Sequence, residues 1–96
     1  MADPAAVRDN TARHRFELEV DGHTAFVTYR PGDGVITLVH TEVPKELAGK
    51  GVGSALAKGA LDLVRASGLK VVPLCPFIAA YIRKHAEYGD LVAGHA

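Results

Sequence analysis

The chain has 96 residues, about the size of one small domain, and 48% of them are apolar, too many for a disordered segment. Eleven basic residues balance eleven acidic ones. No long block of like charge occurs, which argues against nucleic acid or an anionic membrane as partner. Arg83-Lys84-His85 reads first as a solvated helix face.

The lone Cys75 excludes an intramolecular disulfide and any multi-cysteine zinc motif, so no metal site is expected and a reducing compartment is. The N-terminus lacks an apolar core of signal-peptide length, and no stretch approaches the ~18 apolar residues of a membrane span. The expectation is a cytoplasmic protein, a monomer or weak homodimer, with residues 1–13 a frayed polar start. Its large surface relative to volume leaves it modestly stable.

In chain order, Phe16 to Val20 alternates as a strand with one buried face. Asp21-Gly22 is a hairpin turn, and a second strand runs from about Thr24 to Arg30. Pro31-Gly32-Asp33-Gly34 closes it, and a third strand spans Val35 to Val43, completing an antiparallel meander. From Gly51 to Ser67, Val52, Leu56, Ala60, Leu63 and Val64 recur at helical spacing, with Gly68 as C-cap. Gly59, inside this helix, reads as a close helix–sheet approach. Lys70 to Leu74 is a short apolar strand, parallel to Val35–Val43 through a right-handed crossover. Pro76 opens a second helix reaching about His85, with Phe77, Ile78, Tyr81 and Ile82 inside, and Leu91-Val92 adds a last edge strand.

The most informative stretch runs from Val43 to Ser54, between a strand and a helix. Gly49, Gly51 and Gly53 let backbone N–H groups converge, and the helix start favours a phosphate or pyrophosphate. The same glycines also fit a sharp turn with close packing. A Walker A loop is excluded, because no Gly-Lys-Ser/Thr triplet exists. A dinucleotide fingerprint would need glycine at Ser54.

Ala48-Gly49-Lys50-Gly51-Val52-Gly53 resembles motif A of the GCN5-related N-acetyltransferases, Arg/Gln-x-x-Gly-x-Gly/Ala, with Gly51 and Gly53 at its two small positions. With the Pro-x-Cys and Tyr-x-x-Lys-His segments that follow, the chain is similar to the small YjdJ-like or NATD1-like branch of that superfamily from Arg15 to Val92. Ala48 stands where the motif has Arg or Gln, so one side-chain contribution is missing and Lys50 is the remaining local charge.

The resemblance implies an α/β fold of minimal acetyltransferase type over residues 1–96, binding acetyl-CoA between splayed, mainly parallel strands. Glu42, Val43 and residues Ala48, Gly49, Lys50, Gly51, Val52, Gly53 and Ser54 would hold the cofactor, with Lys84 near its phosphates. The acceptor would be a small-molecule amine or a protein amino group. Alternation puts His40 and Glu42 on one strand face with Leu38, as general-base candidates. Cys75, before Pro76, falls at a helix N-cap, where it can accept the acetyl group or protonate the departing thiolate. Tyr81 is a candidate general acid that also suits the core. Each of these roles competes with a structural one. So the chain reads as an N-acetyltransferase, alternatively as a weakly catalytic or non-catalytic CoA-binding module, or as a structural adaptor.

Overall fold

Asp21 and Gly22 both take positive φ, 51° and 79°, the geometry of a two-residue turn whose twist matches the strands it joins. These strands are β2, Arg15–Val20, and β3, His23–Pro31, paired from Arg15–Thr28 to Val20–His23. A computed structural model describes residues 2–94. It adds β1, Arg8–Asn10, β4, Val35–Glu42, and β5, Lys70–Pro73, in a five-stranded sheet ordered as in the sequence. Only β4 and β5 are parallel; the other three pairings are antiparallel. This is the expected antiparallel meander followed by one parallel strand-helix-strand unit; short hairpin loops dictate the antiparallel pairs, so the strands beside the cleft are parallel only at β4 and β5.

The helices are α1, Val52–Ala66, and α2, Pro76–Lys84. Both join one apolar core with the inward residues of the sheet: Phe16 and Leu18, Ala25, Val27 and Tyr29, Ile36 and Leu38, and Val71. Leu56, Ala57, Ala60, Leu61 and Val64 supply the α1 side, while Leu63 packs at the margin. Phe77, expected inside, is 43% exposed: it lies against Gly53 at the start of α1 and lines a surface groove. The Leu91-Val92 strand reduces to one parallel bridge, Val71 with Val92, after a tight turn over Ala86–Leu91. Polar contacts pin that turn: Arg65 donates to both carboxylate oxygens of Asp90 at 3.0 Å, and Tyr88 donates to Asp62 at 2.7 Å.

Within the start expected to fray, residues 4–10 are ordered. Pro4–Ala6 form a single helical turn, Val7 is buried, and β1 pairs with β2 from Arg8–Glu17 to Asn10–Arg15. Gly59 explains the docking. A Cβ there would collide with the Pro4 carbonyl oxygen and the Val7 side chain, so the close neighbour is the N-terminal segment rather than the sheet. Gly59→Ala is expected to lower stability by about 1–3 kcal/mol despite its better helix propensity, because overpacking outweighs it. A melting temperature equal to or above wild type would contradict this.

One irregularity decides which residues face which way. Thr28 pairs with His40 but Tyr29 pairs with Leu38, leaving Val39 as the extra residue of a β-bulge. Side-chain parity flips across it. Leu38 lies in the core, and Thr41, rather than His40, reaches the helix side. His40 and Glu42 do share a face, as expected, but not with Leu38.

Candidate functional site

Four features meet where β4 and β5 end. The first is the loop entering α1. Lys45–Leu47 forms one helical turn anchored by buried Leu47, and the chain then bends through Gly49 and Gly51, at φ 77° and 70°. Gly51 is the N-cap of α1 and has no side chain to turn back on the helix. Its carbonyl accepts from Ala55 N–H at 3.1 Å. Among the described residues, the N–H groups of Gly49, Gly51, Val52, Gly53 and Ser54 have no hydrogen-bond partner. Bare amides at the start of a 15-residue helix carry partial positive charge and suit an anion. A Cβ at Gly49 or Gly51 would meet nothing within 4 Å, so backbone angle, not space, demands glycine there. Gly53 differs: its Cβ would come within 2.9 Å of Phe77 Cζ.

Lys50, expected to lend charge to this loop, is already engaged. Its Nζ donates to Asp21 Oδ2 at 2.8 Å, and that hydrogen bond holds the Asp21 carboxyl below its ordinary range.

The second feature is a groove between the helices. Ser54, Phe77, Ala80, Tyr81, Lys84 and His85 line a hollow of about 180 Å³. Tyr81 stacks on His85 with ring centroids 3.9 Å apart, and burial raises its phenol above the usual value. The fold thus joins Ser54, Tyr81 and Lys84 along one groove.

The third is the parting of β4 from β5. Their pairing ends at Leu38–Pro73, and Cys75 N–H donates to the Leu38 carbonyl at 2.9 Å before the chain turns into α2. Cys75 is the N-cap of α2, as expected, but it is only 4% exposed, and its Sγ lies 3.2 Å from Thr41 Oγ1. Among the described residues, the large apolar side chains left exposed, Val43, Leu74 and Phe77, all lie just past β4 and β5 or in the first turn of α2.

The fourth feature lies across the sheet. His40 Nε2 is 3.4 Å from Glu42 Oε2, with both side chains 60% exposed. Nearby, Glu17 is buried among charges: Arg15 and Asn10 donate to it, and Arg8 lies 3.7 Å away. Burial alone would raise its pKa, but the hydrogen bonds and positive charges prevail and hold it below 4.5. Stability from Glu17 is therefore complete above the unfolded value and lost as pH falls through the lowered folded one. The destabilisation caused by Glu17→Gln should shrink from about pH 6 to about pH 3.5 in urea melts. A constant difference would exclude this linkage.

The expected site residues thus fall into two groups. The glycine loop, Ser54, Tyr81, Lys84 and Cys75 are on the helix side, and His40 and Glu42 are on the open face. Thr41 and Phe77 were not singled out from the sequence as site residues, whereas His85 was named with Arg83 and Lys84 as a partner for phosphate; Thr41 is reached only through the bulge.

A β-α-β crossover with a bare amide loop at the start of its helix, and strands that part beside it, defines a class of acyltransferase folds. The chain belongs to the GCN5-related N-acetyltransferase family, whose model matches residues 15–91. Protein NATD1 of Mus musculus is 33% identical over 85 residues, covering 85% of this chain and 77% of that protein. The Homo sapiens NATD1 is also 33% identical, with 85% and 75% covered. An NMR structure of a GCN5-like protein of Staphylococcus aureus superposes with a TM-score of 0.68 at 30% identity, covering 95% of this chain and 90% of that one.

Proposed function

We propose that this chain binds acetyl-CoA and transfers its acetyl group to an amine in the cytoplasm. The observation that carries the reading is the set of five unpartnered amides at Gly49 and Gly51 to Ser54, continuous with the Ser54–Tyr81–Lys84 groove. The fit to coenzyme A is chemical. Bare amides suit its pyrophosphate, and the exposed apolar trio Val43, Leu74 and Phe77 suits its pantetheine arm. Lys84 offers a cation within the same groove.

Acetyl-CoA, when bound, supplies a thioester whose carbonyl carbon takes the amine nitrogen as its C–S bond breaks. The protein's part is to orient that group and move two protons. On the open face, Glu42 or its neighbour His40 takes a proton from the incoming ammonium. On the helix face, Tyr81 gives a proton to the departing sulfur and is reprotonated by the second proton that the nitrogen sheds as the amide forms. Like any phenol, Tyr81 is protonated at neutral pH, as a proton donor must be; burial raises its pKa and so makes it a weaker acid. Direct transfer is preferred to an acyl-cysteine, because Cys75 is buried against Thr41.

That burial also favours a second reading, a CoA-binding module with little turnover. Two measurements separate the readings. Calorimetric titration with acetyl-CoA should give saturable binding, and no heat at millimolar ligand would sink both. Thiol release with a panel of amines should exceed hydrolysis; binding without such release would favour the module.

A further inference from the structure

The acyltransferase reading leaves the charged cluster of Arg8, Arg15 and Glu17 on the open face unused. Arg15 lies on β2, and only 22% of its side chain is exposed. Its Nε donates to buried Glu17, and its guanidinium carbon sits 4.3 Å from the centre of the Phe26 ring. Among the described residues, its two terminal nitrogens have no hydrogen-bond partner. Glu17 is shared with Arg8, so two guanidiniums meet one carboxylate in this triad, and Glu42 is the next acidic group, across Phe26. A guanidinium fixed at Nε and stacked on an aromatic ring presents its free edge as a preorganised fork for a planar anion.

The register places this fork beside the general-base pair. Phe26 on β3 is opposite Glu17 on one side and Glu42 on the other, and Thr28 lies between Arg15 and His40. Adjacent strands are about 4.8 Å apart, so the guanidinium over Phe26 lies roughly one to two strand spacings, some 5–9 Å, from His40 and Glu42. We propose that Arg15 binds a carboxylate on the acceptor, making the preferred substrate a primary amine whose carboxylate lies several methylenes away. This rests on the acetyl-transfer reading above. The short N-to-carboxylate distance of an α-amino acid cannot span the gap, whereas the chains of 4-aminobutanoate and 6-aminohexanoate can.

Thiol release by the wild-type protein from acetyl-CoA tests this without any variant. The kcat/KM for 6-aminohexanoate should exceed that for hexylamine about tenfold or more, with no such gain for glycine over methylamine. Arg15→Gln should abolish the gain, and Arg15→Lys should keep part of it; melting curves establish that both are folded. Should Arg15→Gln fail to fold, the methyl ester of 6-aminohexanoate replaces it and should react like hexylamine. Equal rates for 6-aminohexanoate and hexylamine would overturn the carboxylate inference while leaving acetyl transfer standing. Turnover of no amine would overturn both.

Discussion

Replacing Gly51 with valine is expected to weaken coenzyme A binding at least tenfold while leaving a cooperatively folded protein. Gly51 sits at φ 70° and ψ 16°, a left-handed conformation that a β-branched residue occupies at a cost of about 1–2 kcal/mol. Nothing lies within 4 Å of the added Cβ, so no clash drives the change. The chain relieves the strain by rotating the peptide planes on either side, which are those that aim the N–H groups of Gly51 and Val52. Losing alignment of two charge-assisted hydrogen bonds weakens binding by one to two orders of magnitude, about 1.5–3 kcal/mol. Gly53→Ala is the informative contrast. Gly53 is helical, and its Cβ meets only the half-exposed Phe77 ring, which can swing aside. That variant should bind within a few-fold of wild type. Undiminished calorimetric affinity in folded Gly51→Val would remove the amide loop from the ligand site.

The glycine loop was legible because its residues announce backbone geometry. The sharp turn that the glycines fit is made by Gly49 and Gly51, both at positive φ. The meander was equally readable, since Asp21-Gly22 and Pro31 to Gly34 punctuate three alternating runs. β1 was not, because Arg8-Asp9-Asn10 has no apolar alternation. It is held instead by Val7 in the core and by the gap above Gly59, both tertiary effects. The bulge left a trace that simple alternation overrode. Apolar residues stand at Ile36 and Leu38, then shift parity at Val39 and Val43. Leu38-Val39 is an adjacent apolar pair at the slip, but Val35-Ile36 is another, so the sequence alone does not single out the bulge. The partnership of Thr41 with Cys75 follows from that slip, across 34 residues of sequence. Glu17 was hidden for the opposite reason. A glutamate in an alternating strand reads as solvent-facing, yet Arg8, Arg15 and Asn10 converge to bury it.

The double substitution His40→Gln, Glu42→Gln should lower kcat for amine acetylation about a hundredfold, with the KM for acetyl-CoA unchanged. General-base catalysis contributes roughly 10²–10⁴ in rate, and these are the candidate bases that the bulge turns to the open face of β4. Both side chains are 60% exposed, so the variant should melt near the wild-type temperature and the kinetic effect can be read without correction for misfolding. On the helix side the order of effects should reverse. Cys75→Ala removes a buried sulfur that packs beside Thr41, so about 1–2 kcal/mol of stability should go while kcat holds. Tyr81→Phe keeps the ring stacked on His85 and removes only the phenolic hydroxyl. If that phenol protonates the leaving sulfur, kcat should fall at least tenfold while stability stays close to wild type. Unchanged kcat in the double variant would move the base away from β4. A collapse of kcat in folded Cys75→Ala would instead favour a route through an acyl-cysteine or thiol proton donor, despite the burial of that sulfur.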